Sequence, residues 1–191
     1  MSDILTEDEI GQLGFLSVGK DVRISRFARF YAPEKISIGN HVRIDDFCVL
    51  SGKITIGNYI HIAVYSAIFG GEAGVTLNDF CNISSRVSIY ALSDDYSGET
   101  MTNPMVLDKY KNVEQKPVLL GKHVIVGSGC VILPGAYLAE GASFGALSLI
   151  KGETEAWSIN AGIPSRKIKE RSNKLLTLEE EFIKNEGEKN A

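Results

Sequence analysis

Residues 38–49 read IGNHVR-IDDFCV, two successive six-residue units that each begin with isoleucine. The unit recurs from Val18 to Ile150, interrupted by two small insertions and one long one, and its first residue, the lead position, is always aliphatic or Phe. Four residues after the lead position the side chain is usually small or aliphatic. The lead positions are Val18, Ile24, Phe30, Ile38, Ile44, Leu50, Ile56, Ile62, Ile68, Leu77, Ile83, Ile89, Leu120, Val126, Ile132, Leu138, Phe144 and Ile150.

This six-residue period predicts an all-β fold, a parallel β-helix of triangular section. Six residues are too few for the common helical repeats and too regular for a sandwich, whose turns come about every 8–12 residues. Each unit would form one flat side and a corner, so that three units make a coil. Eighteen lead positions then give about six coils, which stack to a length of roughly 29 Å at a strand spacing of about 4.8 Å.

The composition narrows the function classes. With 191 residues the chain is long enough for one well-buried domain, and a net charge of −4 gives no basic face for nucleic acid. Three cysteines, at inward repeat positions, lack metal-ligand spacing and are odd in number, which argues against a disulfide framework. The acidic N-terminus does not resemble a signal peptide, and no apolar run is long enough to insert in a membrane. We therefore expect a cytoplasmic protein.

The two ends of the chain predict helices. Thr6 to Glu9 form a capping-box pattern for a short N-terminal helix. At the other end, residues 171–185 carry Leu175, Leu178 and Phe182 at helical spacing. We expect an N-terminal helical cap over residues 1–16, a β-helix domain over residues 17–165 and a C-terminal helical tail over residues 166–191.

The period stops once for a long stretch, between residues 90 and 117. This segment includes the polar run LSDDYSGET (residues 92–100), which follows no repeat. A protruding loop of this length in an otherwise regular array is usually functional. We expect it to shape an active site.

The sequence resembles the hexapeptide-repeat acyltransferases, in particular the galactoside, maltose and xenobiotic acetyltransferase group. The resemblance covers most of the chain and is most specific between Gly121 and Ile168, in VGSGC (126–130), ILPG (132–135), GALS (145–148) and NAGIPSRKI (160–168). It implies a left-handed β-helix, a homotrimer and an acetyl-CoA co-substrate. We expect direct transfer of the acetyl group with no covalent intermediate, because no cysteine lies in the loop, and we expect no metal.

The resemblance also implies a coenzyme A groove between neighbouring protomers. The matching positions are Ser128, Ala146, Lys151, Gly152, Arg166 and Lys169. Small side chains let the pantetheine arm approach the backbone, and the cationic side chains can offset phosphate charge.

The acceptor side departs from the family pattern. Galactoside-type enzymes carry a catalytic histidine near the start of the loop, where this sequence has Asp94, and no histidine lies between His61 and His123. A carboxylate at its usual pKa of about 3.9 is a weak base, whereas an imidazole near 6.5 fits the task. Three alternatives follow: Asp94 or Asp95 is the base, His61 is the base, or an amine acceptor makes a strong base unnecessary. Glu72 and Tyr90 are candidates for binding the acceptor.

The activity we expect is transfer of an acetyl group to a sugar hydroxyl, in the biosynthesis of a cell-surface polysaccharide or lipopolysaccharide. The alternative is N-acetylation of a nucleotide-linked amino sugar. A non-catalytic β-helix scaffold is a third hypothesis. A metal-dependent β-helix enzyme of the γ-class carbonic anhydrase type would need three converging histidines, and the three here stand at different repeat positions.

Overall fold

A computed structural model describes the backbone of residues 3–189 and the side chains of residues 3–186. Helix α1 spans Glu7–Gln12, helix α2 spans Leu175–Lys189, and short strands form a parallel β-solenoid between them. The strands stack in three flat faces, as the six-residue period predicts. We number the strands in chain order, and the faces 1, 2 and 3 in the order in which the chain visits them from Arg23 onward.

Face 1 contains seven parallel strands and one antiparallel strand at its edge. The parallel strands are β2 (Arg23–Ile24), β5 (Arg43–Ile44), β7 (His61–Ile62), β9 (Asn82–Ile83), β14 (Ile125–Val126), β17 (Ser143–Phe144) and β19 (Ser158–Gly162), and β20 (Ser165–Glu170) pairs antiparallel with β19. The solenoid therefore has about seven turns on this face.

Faces 2 and 3 share two long strands that bend around one corner. Face 2 consists of β3 (Arg29–Tyr31), the first part of β6 (Val49–Ile56), the first part of β8 (Ala67–Leu77), β10 (Ser88–Tyr90), β15 (Val131–Ile132) and β18 (Leu149–Ile150). Face 3 consists of β1 (Ser17–Val18), β4 (Ile36–Ile38), the remaining parts of β6 and β8, β13 (Val118–Leu120) and β16 (Tyr137–Leu138).

The core is a ladder of lead residues. All lead positions except Val18 and Phe30 are buried, and so are most of the small or aliphatic residues four positions later, including all three cysteines. The seventh turn, which the pattern of aliphatic lead residues does not predict, has polar inward side chains. There the side-chain amide of Asn160 donates to Ser158 Oγ at 2.8 Å and to the Ser143 carbonyl at 3.3 Å.

The corners explain the glycines and the aromatic residues. A Cβ atom on Gly39 or Gly127 would lie 2.5–2.6 Å from the backbone of the next coil, so these positions need close approach. The left-handed backbone conformation falls two residues further on, and it is taken by side chains such as Phe47 (φ 58°) and Tyr59 (φ 56°). The sequence pattern places the turn residues directly after the lead position. In the structure that position provides the close approach between coils, and the left-handed conformation occurs two residues later.

Both terminal helices pack against the solenoid. Thr6 and Glu9 form the expected capping box, and Ile10 is buried. At the other end, residues 165–170 form the edge strand β20, and α2 begins later than the expected residue 171.

Helix α2 covers the corner between faces 3 and 1. On that corner His41, Tyr59, Phe80 and His123 stack with centroids 4.6–5.1 Å apart. Glu179 Oε2 lies 2.7 Å from Nε2 of His123, and Lys122 also pairs with Glu179. Burial raises the pKa of Glu179, but the hydrogen bonds and charges of Lys122 and His123 outweigh burial and leave it below its ordinary value.

Candidate active site

The long loop leaves the solenoid after β10, at the corner between faces 2 and 3. Strands β11 (Leu92–Ser93) and β12 (Glu114–Gln115) pair antiparallel and close its base. A single 3-10 turn spans Asp108–Tyr110. The paired strands therefore anchor the loop at its base, and the loop overhangs face 2.

A cavity of about 750 Å³ lies between this loop and face 2. Its floor includes Phe69 and Tyr90, whose rings stack at 5.2 Å, together with Val131 and Leu133. The loop contributes Leu92, Ser93, Asp94, Tyr96, Asn103, Pro104, Lys111 and Val113 to the walls. The structure thus brings two predicted residues, Tyr90 and Asp94, into one mostly apolar cavity.

Asp94 and Asp95 differ in their surroundings. The Asp94 carboxylate lines the cavity and has no hydrogen-bond or ion-pair partner within residues 3–189. Asp95 accepts hydrogen bonds from the Ser97 backbone N–H and the Thr100 hydroxyl, each at 2.8 Å. The hydrogen bonds of Ser97 and Thr100 hold the pKa of Asp95 below its ordinary value. This geometry favours Asp94 over Asp95 as a base.

Lys111 is a cavity residue that the sequence did not single out. Its side chain is only 10% exposed, and its Nζ lies 2.9 Å from the exposed carboxylate of Asp108. A buried ammonium group is costly unless it meets an anion or a polar ligand. The only signal in the sequence was its position within the long loop.

Glu72 lies outside the cavity, at the insertion inside β8. Its carboxylate pairs with Lys35 at 2.6 Å, which lowers the pKa of Glu72, and its backbone N–H donates to Gln115 at the base of the loop. Glu72 therefore sits beside the base of the loop and is not among the residues that line the cavity.

His61 stands on face 1 and not under the loop. Its Nε2 lies 2.8 Å from Asp45 Oδ2, and Arg43 Nε donates to the other oxygen of Asp45 at 2.7 Å. Burial raises the pKa of Asp45, but the hydrogen bonds and charges of His61 and Arg43 outweigh it and leave the pKa lowered. Within one protomer the structure does not bring His61 and Asp94 together.

The six positions expected to bind coenzyme A fall in three places. Ser128 and Ala146 lie on successive coils at the corner between faces 1 and 2, where Ser128 Oγ is 3.2 Å from Ser85 Oγ. Lys151 and Gly152 lie at the corner between faces 2 and 3, below the loop. Arg166 and Lys169 lie on β20, paired with Ala161 and Ile159 of face 1.

The three histidines do not converge. His41 and His123 belong to the stack under α2, whereas His61 lies on face 1. Among the described residues no group of three His, Cys, Asp or Glu side chains is placed to hold a metal ion. Over residues 3–189 no helix is both long and apolar enough to cross a membrane.

Comparison with known proteins identifies the family. The chain is 53% identical over 181 residues to dTDP-4-amino-4,6-dideoxy-D-glucose acyltransferase of Escherichia coli, covering 93% of this chain and 94% of the relative. The chain belongs to the hexapeptide-repeat acyltransferases. A search with models of protein families gave no match.

Solved structures of acyltransferases support the same family assignment. AntD, an N-acyltransferase from Bacillus cereus in complex with dTDP and 3-hydroxybutyryl-CoA, is 49% identical and superposes with a TM-score of 0.95 over 98% of this chain and all of AntD. Galactoside acetyltransferase in complex with coenzyme A is 22% identical, with a TM-score of 0.61 over 89% of this chain and 72% of its own, and shares the fold. The left-handed β-helix and the acyltransferase class expected from the sequence are confirmed.

The same comparisons reorder the two expected reactions. The relatives that are 53% and 49% identical are, respectively, an acyltransferase of a dTDP-linked amino sugar and an N-acyltransferase that binds dTDP. The "putative lipopolysaccharide biosynthesis O-acetyl transferase WbbJ" of Escherichia coli K12 is 26% identical, over 71% of this chain and 69% of its own. The findings favour N-acylation of a nucleotide-linked amino sugar over O-acetylation of a sugar hydroxyl.

Proposed function

We propose that this acyltransferase transfers an acyl group from a coenzyme A thioester to the 4-amino group of dTDP-4-amino-4,6-dideoxyglucose. The relative from Escherichia coli carries this substrate in its name, and the S84A mutant of AntD has been solved with the same nucleotide sugar and coenzyme A. An amine acceptor explains why the loop brings an aspartate where a histidine was expected.

The observation that carries the proposal is Asp94 at the cavity wall, whose carboxylate has no hydrogen-bond or ion-pair partner in the part of the chain that the structure describes. A sugar hydroxyl needs a base that takes its proton as it attacks, which a carboxylate does poorly. An amine attacks through its lone pair, and its nitrogen becomes cationic only afterwards. That nitrogen is then acidic enough for a carboxylate to accept its proton, so Asp94 suits an amine acceptor.

The reaction is direct. The amine nitrogen forms a bond to the thioester carbonyl carbon, and the C–S bond breaks as the carbonyl re-forms. The proton lost from nitrogen passes to Asp94 and then to the departing sulfur, so the products are an amide and free coenzyme A. Tyr90 and Phe69 supply the apolar floor against which the deoxysugar ring packs.

We further propose that the working unit is a homotrimer. Phe27, Phe47 and Tyr65 form an exposed column of neighbouring rings along the corner between faces 1 and 2, and Leu147 is exposed at the same corner three coils further on. Exposed apolar patches of this kind mark association surfaces. With this corner on a three-fold axis, face 1 of one protomer would oppose face 2 of the next.

That arrangement supports one composite active site. Asp94 under the loop of one protomer would then look across a groove at face 1 of its neighbour, which carries His61 and, further along, Arg166 and Lys169. Coenzyme A would lie in this groove, with Ser128 and Ala146 at its inner edge and Lys151 at its outer edge. The separated positions of the predicted residues within one chain fit this assembly.

The test compares two matched acceptors. The purified protein is given acetyl-CoA or 3-hydroxybutyryl-CoA with dTDP-4-amino-4,6-dideoxyglucose, or with the analogue that has a hydroxyl at C4, and free thiol is measured. We expect thiol release with the amino sugar at least 100-fold faster than with the hydroxyl analogue, and an amide in the product by mass spectrometry. Equal rates, or turnover of the hydroxyl analogue alone, would overturn the proposal.

A further inference from the structure

Face 1 carries a row of basic side chains, two arginines and one histidine, on its first three coils, and we call it the cation row after its arginines. Arg23, Arg43 and His61 occupy the same outward position, aligned by the strand register that pairs Arg23 with Arg43 and Arg43 with His61. Neighbours in this cation row stand about 4.8 Å apart along the solenoid. The row ends at Asn82, which follows His61 in the same register.

Acidic side chains hold this row in one orientation. Asp21 accepts from Arg23 Nε at 3.1 Å, and Asp45 lies between Arg43 Nε and His61 Nε2. Each arginine donates through its Nε to an aspartate. The Nη groups of both arginines have no hydrogen-bond partner among the described residues. The two arginine side chains are 65% and 62% exposed. Two aligned guanidinium groups therefore point their free ends outward.

We infer that the cation row binds the diphosphate of the nucleotide-sugar acceptor, an inference that rests on the proposed function. Free guanidinium N–H groups are strong, geometrically selective donors to phosphate oxygens. Two phosphates that share one bridging oxygen fit beside two neighbouring arginines of the row. The His61 ring, fixed by Asp45, closes the subsite on the side of the reaction centre.

The position of the row separates the acceptor from the donor. Arg43 lies on the second coil of face 1, and Arg166 lies beside the seventh. Arg166 stands on β20, so six strand spacings of the sheet, about 29 Å, separate it from Arg43. The loop with Asp94 leaves the solenoid at the fourth strand of face 2. Donor and acceptor phosphates would thus occupy opposite ends of one groove, with the reacting groups between them.

The experiment measures binding of dTDP and of thymidine to the full-length protein by calorimetry. The variants are Arg23→Met and Arg43→Met, with Arg29→Met as control. Arg29 lies on face 2 of the same first coil, and its Nη1 already donates to the backbone carbonyls of Arg26 and Ala28 at the preceding corner. We expect each cation-row variant to weaken dTDP binding about 10-fold or more and to leave thymidine binding and the KM for acyl-CoA unchanged. The control should bind dTDP like the wild type.

Three outcomes decide between the possibilities. If the cation-row variants bind dTDP as tightly as wild type, or if the wild type does not distinguish dTDP from thymidine, the inference is overturned. If the contrast appears but the wild type transfers no acyl group to the amino sugar, the proposed reaction fails and the diphosphate subsite stands. Arg43→Lys, which keeps the charge and loses the fork, should give an intermediate loss even if Arg43→Met folds poorly.

Discussion

Replacing Asp94 by asparagine removes one negative charge from the cavity and almost nothing else. The carboxylate has no partner within the described residues, so the substitution breaks no contact and the melting temperature should stay within about 2 °C of wild type. A positioned base is worth about 10²–10⁴-fold in rate. An amine needs the base only after it has attacked, so we expect the lower end, a fall in kcat of about 100-fold. This corresponds to about 2.7 kcal/mol in the barrier.

The assay follows coenzyme A release at saturating amino sugar, with Glu99→Gln as the matched control. Glu99 is exposed in the same loop, and its replacement makes the same change of charge. The KM for acyl-CoA should not change in Asp94→Asn, because the residues expected to hold coenzyme A lie on other coils. A kcat within threefold of wild type would refute the assignment of Asp94 as proton acceptor. A loss of similar size in the control would assign the effect to the charge of the loop.

Four further outcomes are expected. Phe47→Glu should convert the trimer to monomers by light scattering and reduce acyl transfer more than 10-fold, and a fully active trimer would contradict the proposed axis. Arg166→Ala should raise the KM for acyl-CoA by about 10-fold with kcat little changed. The pKa of Glu179 is lowered in the folded state, so its contribution to stability is present above about pH 4.3 and is lost as the pH falls through the lowered value. Thermal melts should therefore show Glu179→Gln to be less stable than wild type at pH 7. Below pH 4 the melting temperature of the variant should fall less than that of the wild type. Gly141→Ala places a Cβ 2.5 Å from the ring of Trp157 and should destabilise the protein by about 1–3 kcal/mol. In Gly11→Ala the new Cβ meets nothing within 4 Å, so this control should be neutral or stabilising by up to about 1 kcal/mol.

Much of the fold could be predicted because one repeat fixes it. A lead residue that recurs every six positions can be buried only if each unit forms one side of a prism, and sixteen of the eighteen lead positions are buried. The seventh turn could not be found in this way, since Ser158 and Asn160 replace aliphatic residues and satisfy each other by hydrogen bonds. The edge strand β20 could not be predicted either, because its residues follow neither helical nor six-residue spacing.

The candidate site was predictable in composition but not in arrangement. The interruption of the repeat locates the loop, and the register places Tyr90 and Asp94 at its start. Sequence spacing cannot distinguish the free Asp94 from Asp95, whose oxygens are taken by a local turn. Sequence spacing also cannot reveal that His61 pairs with Asp45 on face 1 and not with the loop over face 2, because the contact joins residues of neighbouring coils.

Strand β20 has a consequence for the behaviour of the protein in a crowded solution. A stack of parallel coils ends in an unpaired strand edge, onto which another chain could add coil upon coil and grow a filament. The chain reverses after β19, lays an antiparallel strand across that edge, and gives it the charged sequence SRKIKE. Face 1 thus ends in a strand of the wrong polarity to continue the array. Deletion of residues 165–170 should leave a protein that forms fibres at concentrations where the intact chain stays dispersed.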